Sequence, residues 1–362
     1  MKTELKLKIR NYFSVFSICL ATAIYILFRF TSQVPTLGAE KEKLKQQIFA
    51  ISQSEPLRTG AFSPLPKHTS ANPEKARLGK MLFEDKRLSK DDSLSCASCH
   101  DLYHGGANSL KTAVGIRGQI GEVNTPTVFN SQFNFRQFWD GRAASLNEQI
   151  EGPIHSPIEM ATSWTEILAK LEQDKRVIEE FDKIYPKGLH RESVIDAIVE
   201  FEKSLITPNS AFDQFLRGDA SALSARQLAG YQKFDTLGCV ACHQGRNIGG
   251  NMFQSLGIAG DYFKARGGFL NSDLGRYNVT KREQDKYVFR VPSLRNVELT
   301  APYFHDGAVP TLEEAVRKMA KYQLGRNLVA EDVEDIVEFL KALTGQLPVS
   351  LQSVRGTANE AQ

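Results

Sequence analysis

The sequence has few residues that could form disulfides and carries little net charge. Among 362 residues there are five cysteines, and four of them fall in two short clusters, which leaves no pairs for a disulfide framework. The net charge is only +3 and no basic tract stands out, so nothing points to nucleic acid as a partner. With 41% hydrophobic and 24% charged residues, the chain is long enough to bury the cores of two domains.

Each cysteine cluster is followed at once by a histidine. The two segments read Cys96-Ala97-Ser98-Cys99-His100 and Cys239-Val240-Ala241-Cys242-His243. This pentapeptide is the attachment motif of c-type haem, in which both thiols bond to the haem and the histidine reaches the iron. A redox dithiol or half of a zinc site would account for the cysteines but not for the repeated histidine. The sequence therefore predicts two covalently bound haems c.

The amino terminus carries an export signal. Basic residues precede an apolar run from Tyr12 to Phe30, and this order sends the rest of the chain to the periplasm, where c-type haem is attached. The length of the run lies between those of a signal peptide and a membrane span. No Ala-x-Ala site follows it, and Ile18 before Cys19 is unsuited to lipoprotein cleavage. We therefore favour an uncleaved membrane anchor over a cleaved signal for residues 1–30.

The regular parts of the remaining sequence have helical periodicity. Helices are predicted at 163–185, 190–206, 224–237, 311–322 and 330–343, and capping boxes begin three of them, at Ser163, Ser224 and Thr311. Residues 31–72 are interpreted as a spacer, and the loops at 101–160 and 244–310 lack the alternation typical of strands. The predicted fold is mainly α: two cytochrome c-like helical domains, each with one covalent haem, long haem-wrapping loops and a join near 207–223.

The sixth ligand of each iron decides what the haems can do, because an open position permits chemistry on peroxide. By position in the chain, Met160, Met252 and Met319 are the ligand candidates. We favour Met319 for the second haem, although a methionine that simply fills the core is the alternative. Met160 could close the first iron. If that iron is open, the neighbouring Glu159 could act as an acid-base group, whereas a solvated surface glutamate is the plainer interpretation.

Five further segments surround the haem motifs in a specific order, and with them the sequence resembles the bacterial di-haem cytochrome c peroxidases over residues 73–345. The segments are Asn124–Val128, Gln137–Arg142, Pro157–Met160, Val291–Asn296 and Ala301–Gly307. The resemblance implies a peroxidatic haem domain at 73–207 and an electron-transfer haem domain at 208–345. Residues 346–362 would form a polar tail.

The resemblance also implies roles for individual residues. Hydrogen peroxide would be reduced to water at the open haem on His100, with electrons entering through the haem on His243 and Met319. Glu159 would move the proton, Gln149 would supply a distal amide, and Trp139 would couple the two haems. An exposed glutamine and an ordinary core tryptophan are the alternatives for the last two.

A calcium ion and protein partners are implied in the same way. The family's calcium would be bound by the side chain of Asn124 and the backbone carbonyls of Thr300 and Pro302, oxygen ligands that suit this cation. The electron donor would be a small cytochrome c or a copper protein. A homodimer, as relatives often form, is also implied. The role of His305, in the last family segment, is left open between ligand, haem-propionate partner and packing.

One departure from the family bears on activation. Many members place a histidine, which blocks the first haem until the second is reduced, where this sequence has Ile116. Isoleucine cannot ligate iron, and His104 follows His100 too closely to reach the opposite haem face. We therefore predict an enzyme that is active in the fully oxidised state.

Two other functions remain as alternatives. A di-haem electron carrier would have Met160 on the first iron and no peroxidase activity. A related di-haem enzyme oxidises a partner protein and has a tyrosine in place of the methionine on the second haem. Met319 argues against that enzyme, but Tyr322 lies one turn further along the same predicted helix.

Overall fold

Helices make up most of the regular structure in the computed structural model, which describes residues 59–348 and 350–352. The first half contains α1 (Pro73–Phe83), α2 (Cys96–Cys99), α3 (Leu146–His155), α4 (Trp164–Leu171), α5 (Lys175–Ile184) and α6 (Arg191–Ser204). The second half contains α7 (Ala211–Leu216), α8 (Ala225–Thr236), α9 (Tyr262–Arg266), α10 (Tyr277–Thr280), α11 (Leu312–Leu324) and α12 (Ala330–Lys341). The mainly helical fold predicted from the sequence is confirmed.

Three predictions concern residues outside the described ranges. They are the export or anchor segment at 1–30 with Cys19, the spacer up to residue 58, and the tail from 353 onwards. Within residues 59–348 and 350–352, no helix is both long and apolar enough to cross a bilayer.

Helix ends follow the predicted caps in most cases. Ser163 and Ser224 each cap a helix through a reciprocal capping box, as predicted. Thr311 accepts a hydrogen bond from the backbone N of Glu314, but the carboxylate of Glu314 pairs with Lys318 instead of closing the box. The predicted helix 163–185 is two helices, because Asp174 caps a new start by accepting a hydrogen bond from the backbone N of Arg176.

The regions predicted to be irregular contain more structure than the sequence suggests. Helix α3 lies inside 101–160 and includes Pro153 in its last turns. Two three-residue strands, β1 (Phe253–Ser255) and β2 (Val288–Arg290), pair antiparallel inside 244–310, with Phe253 opposite Arg290. Glycine and proline interrupt the helical periodicity of α3, so the sequence does not show it clearly. Three-residue strands are too short for an alternating pattern to appear.

The core of the first half forms where α1 crosses α6. Gly79 on α1 lies so close to α6 that a Cβ atom there would be 1.8 Å from the carbonyl oxygen of Ala197. Large apolar side chains surround this crossing and are almost completely buried, among them Leu78, Leu82, Phe83, Phe181, Ile198 and Phe201. The pair holds the first haem motif, because Cys96 and Ala97 pack against the same core.

The second half repeats this arrangement with α8 and α12. A Cβ atom on Gly230 would lie 1.8 Å from the carbonyl oxygen of Asp335. Beside the crossing, Lys233 Nζ and Arg226 Nε lie 2.7 and 2.9 Å from the Asp335 carboxylate. The aromatic rings of Phe212 and Phe339 pack edge to face with centroids 5.1 Å apart. Each half thus has its own helix pair crossing at a glycine.

Part of the predicted spacer is instead packed into the fold. Phe62 is buried and its ring lies 5.4 Å from that of Phe212. The backbone N of Leu65, also buried, donates a hydrogen bond of 3.0 Å to Asp213. Among the described residues, the packed part of the chain thus includes Phe62 and Leu65, which lie ahead of Pro73. The predicted division between haem domains near 207–223 stays a prediction.

Candidate active site

The first haem motif lies on the single turn α2. The backbone N of Ser95 donates to Ser98 Oγ at 2.9 Å, which fixes the start of the turn. His100 Nδ1 lies 3.1 Å from the carbonyl oxygen of Gly106, to which it can donate its proton. This bond would fix the ring orientation and leave Nε2 as the nitrogen available to a metal.

The second motif begins with the 3-10 turn Cys239–Ala241. His243 repeats the arrangement of His100, with Nδ1 3.4 Å from the carbonyl oxygen of Ile248. Burial lowers the pKa of His243 to about 4, which favours the neutral imidazole that ligates iron. In both motifs a backbone carbonyl oxygen therefore binds Nδ1 of the histidine, and Nε2 is left for the iron.

The first thiol of each motif is largely withdrawn from solvent. Burial raises the pKa of Cys96 to about 12 and that of Cys239 to about 11. A redox-active dithiol has a lowered pKa, since the thiolate is the reactive form, so these raised values argue against that alternative. None of the four motif cysteines, all among the described residues, forms a disulfide.

A cavity of about 240 Å³ adjoins the second motif. Cys239, Cys242, His243 and Met319 line it together with mostly apolar side chains. Among the described residues that could be ligands, Met252 and Tyr322 are absent from this lining; the Tyr322 ring packs against Tyr262 with centroids 5.6 Å apart. An apolar cavity with two thiols, a histidine and a methionine fits a covalent haem with His and Met ligands.

Glu159 lies beside the first motif in a half-buried position. Burial raises the pKa of Glu159, whereas the positive charge of Arg142 and a hydrogen bond with Ser156 oppose the rise. The carboxylate in turn contributes to the raised pKa of Cys99, whose Sγ lies 4.0 Å from the carbonyl oxygen of Val114. The backbone also holds the segment, because the N of Ile116 donates to the carbonyl oxygen of Glu159 at 2.9 Å. The same loop, residues 114–116, thus contacts both Cys99 and the backbone of Glu159.

Gln149 and two alternative ligands lie elsewhere around this site. Gln149 is half-buried on α3, one turn before Gly152, whose position against the Phe138 ring leaves no space for a side chain. Met160 is 6% exposed and packs into the core of the first half. His104 is exposed and forms a 2.8 Å contact with Asp101. Packing in the core thus accounts for the burial of Met160, and no bond to iron is needed to explain it.

Trp139 and the three predicted calcium ligands lie together around the cavity of the second half. The cavity lining includes Trp139, Asn124, Thr300 and Pro302. Trp139 Nε1 donates to the carbonyl oxygen of Asn124 at 2.9 Å, and Asn124 Nδ2 donates to the carbonyl oxygen of Leu110 at 3.0 Å. Because the amide nitrogen of Asn124 is used in this way, its side-chain oxygen remains available for a cation.

His305 belongs to a buried network that the sequence did not reveal. Its Nε2 lies 2.7 Å from Asp273 Oδ1, and Arg266 forms ion pairs with both Asp273 and Asp306. Although burial alone would raise it, bonds from His305 and Arg266 hold the pKa of Asp273 well below its usual range. Arg266 pairs with both carboxylates and His305 bonds one of them, so the network has a structural explanation without a metal. The network joins residues 266–273 to residues 305–306, which are far apart in the sequence, so no local sequence pattern predicts it.

The chain is similar to known cytochrome c peroxidases. The family model for di-haem cytochrome c peroxidase matches residues 73–221. Cytochrome c peroxidase Ccp of Escherichia coli (strain K12) is 49% identical over 305 residues, which are 84% of this chain and 65% of that protein. The chain thus spans a little under two thirds of that relative's length. Cytochrome c551 peroxidase of Nitrosomonas europaea is 43% identical over 82% of this chain and 86% of that protein.

Solved structures share the fold. A MauG-like protein associated with microbial copper homeostasis superposes with a TM-score of 0.68 at 26% identity, covering 78% of this chain and 93% of that protein. The diheme peroxidase BthA of Burkholderia thailandensis has a TM-score of 0.62 at 21% identity, covering 80% of this chain and 91% of that chain, and shows likeness of fold alone. With two haem motifs in helical surroundings and relatives of this identity, the chain belongs to the di-haem cytochrome c peroxidase family.

Proposed function

We propose that this protein reduces hydrogen peroxide to water in the periplasm, at an open c-type haem held by Cys96, Cys99 and His100. Cys239, Cys242, His243 and Met319 would hold a second haem, which would supply the centre that receives electrons from a small redox protein. When bound, the first haem supplies an iron with a free coordination position for peroxide. Peroxide, two electrons and two protons give two molecules of water.

The position of Glu159 is the observation that carries this proposal. Its backbone is bonded to Ile116, in the loop whose Val114 carbonyl oxygen lies 4.0 Å from Cys99 Sγ, and burial raises the pKa of its half-buried carboxyl. A carboxylate with a raised pKa can take a proton from peroxide and return it to the leaving oxygen. Arg142 limits the rise and keeps the ionised form accessible. An electron carrier would have no use for such a group.

Other side chains support the chemistry around this proton transfer. Gln149, on the neighbouring helix α3, would donate its amide to the oxygen of the substrate. Trp139 lines the cavity of the second half, and its indole N is fixed by the carbonyl oxygen of Asn124. A fixed aromatic ring at the edge of that cavity is suited to couple the two haems.

Peroxide turnover by the purified holoprotein with a reduced donor cytochrome tests the proposal. Glu159→Gln keeps the size of the side chain but cannot exchange the proton, so turnover should fall by about a hundredfold while both haems stay bound. Glu172→Gln changes an exposed glutamate of the same half and should leave turnover unchanged. Turnover undiminished in Glu159→Gln would reject the acid-base role, and no turnover in the unaltered protein would favour a carrier.

The proposal extends to location, donor and metal. The apolar segment at 12–30 supports export, with an uncleaved anchor favoured over a released protein. A small cytochrome c or a copper protein would deliver electrons, and a homodimer would be in keeping with the family. The side-chain oxygen of Asn124, with Thr300 and Pro302 in the same cavity lining, supports one calcium ion. Fractionation without detergent and metal analysis of the purified protein test the first and last of these.

The two alternative functions have less support. The carrier needs Met160 on the first iron, but Met160 is packed in the core. The partner-oxidising enzyme would use a tyrosine on the second iron, but the cavity lining includes Met319 and not Tyr322.

A further inference from the structure

Arg290 is a buried cation without a counter-ion. It ends β2 and is 4% exposed. Its backbone N donates to the carbonyl oxygen of Trp139 at 2.8 Å, and its Nε donates to the carbonyl oxygen of Phe138 at 3.1 Å. Nη1 is buried and has no hydrogen-bond partner. Among the described residues no carboxylate forms an ion pair with this guanidinium.

The contrast with Arg295 shows that this arrangement is unusual within the protein. Arg295 is equally buried, but its Nη1 lies 2.8 Å from Asp213 Oδ1. A buried charge without a partner is strongly unfavourable, so proteins neutralise such groups or reserve them for a ligand. Burial alone lowers the pKa of Arg290 to about 10, which still leaves it positive at neutral pH.

The ligand must be an anion that reaches the second haem cavity. Arg290 lines that cavity together with His243, Met319 and Trp139. Haem carries two propionate carboxylates, and a guanidinium pairs with a carboxylate through two parallel hydrogen bonds. The haem proposed for this cavity therefore brings the missing anion with it.

We infer that Arg290 binds a propionate of the haem attached at Cys239 and Cys242, and that its charge raises the reduction potential of that haem. This inference rests on the proposed haem site but not on peroxide turnover. A propionate left unpaired would stabilise the more positive ferric iron and lower the potential, whereas Arg290 cancels that charge. The same residue holds the two carbonyls of Phe138 and Trp139, so it connects the propionate to the residue proposed to couple the haems.

Redox titration of the holoprotein, resolved for each haem by its absorption, tests the inference. Arg290→Gln should make reduction of the second haem at least tenfold less favourable, which is about 59 mV for a one-electron couple. The first haem should keep its potential. Arg282→Gln removes a positive charge from an exposed arginine of the same half that pairs with Asp285, and both potentials should stay unchanged.

Arg290→Lys provides the second variant, because it keeps the charge but loses the planar fork. We expect a smaller fall in potential and a shifted propionate bending mode in the resonance Raman spectrum. This variant also decides the matter if Arg290→Gln does not load its second haem. An unchanged potential in loaded Arg290→Gln, or an unchanged potential and propionate mode in Arg290→Lys, would overturn the inference. Both readouts are independent of turnover, so failure of the proposed peroxidase activity would be seen separately.

Discussion

Asn130 and Thr207 exchange two buried hydrogen bonds. Asn130 Nδ2 donates to Thr207 Oγ1 at 2.8 Å, and the backbone N of Thr207 donates to Asn130 Oδ1 at 2.9 Å. Asn296 Nδ2 also donates to Thr207 Oγ1, at 2.9 Å. All three side chains are buried. One hydroxyl thus joins a loop of the first half and a family segment of the second half to the link between them.

Thr207→Val should therefore destabilise the protein although it keeps the shape of the side chain. Both asparagine amides would lose a buried acceptor, and each such loss costs about 1–3 kcal/mol. The midpoint of thermal unfolding of the holoprotein should fall clearly. Thr236→Val, at an exposed position on α8, should change it little, since surface substitutions stay within about 0.5 kcal/mol. Equal midpoints for the two variants would contradict this account.

Met319→Leu should remove the near-infrared charge-transfer band of the ferric protein. Leucine fills similar space in the cavity but has no sulfur to bind iron, and the potential of the second haem should fall as well. Met252→Leu serves as the matched control, because Met252 lies outside the cavity lining. A band that survives in Met319→Leu would remove Met319 from the iron.

Glu202 should make stability depend on pH. The residue is buried beside Cys96, its Oε2 has no partner, and burial raises its pKa to about 8 from an ordinary 4.5. Between these values the folded state keeps a proton that the unfolded state has lost. The free energy of unfolding should therefore fall as pH rises through this window, by up to about 1.4 kcal/mol per pH unit.

Glu202→Gln cannot ionise and should lose this dependence. The difference in unfolding midpoint between the variant and the unaltered protein should shift in favour of the variant from pH 5 to pH 8. Glu172→Gln, at an exposed position, should track the unaltered protein throughout. A constant difference between Glu202→Gln and the unaltered protein across this range would show that the carboxyl does not titrate there.

The fully oxidised protein should reduce peroxide without a lag. Ile116 is 3% exposed and its backbone N is bonded to the carbonyl oxygen of Glu159, so no imidazole stands at this position to block the first iron. Stopped-flow turnover of the ferric protein should match that of protein reduced beforehand at the second haem. Low-spin, six-coordinate spectra for both ferric haems would contradict the prediction.

Introducing the missing histidine gives a positive test of the same idea. Ile116→His should produce a low-spin first haem and a lag that prior reduction removes. Ile120→His places a histidine in the same loop at a position that is 66% exposed, and it should turn over without a lag. A lag in both variants would point to a general effect of histidine in this loop.

The sequence predicted those parts of the site whose chemistry requires fixed spacing. Both haem motifs were readable because two thiols and a histidine must share one turn, and Met319 stood out on a capped helix. Helix α3 was missed because Gly152 and Pro153 interrupt its pattern. The proline-rich sequence around Phe62 and Leu65 indicates a spacer, and it does not show which of its apolar residues are buried. Arg290 and the Asp273, His305 and Arg266 network depend on contacts between distant segments, which only folding brings together.

The two glycine crossings, at Gly79 and Gly230, have a consequence for redesigning this protein. Each sets the distance between two helices by direct contact of main-chain atoms. No side chains lie between the helices there that could repack to accommodate a larger residue. Apolar positions around each crossing could be randomised in a library and still yield folded clones. The two glycines could not be randomised in this way. A helix pair transferred to a synthetic haem protein would have to keep its glycine.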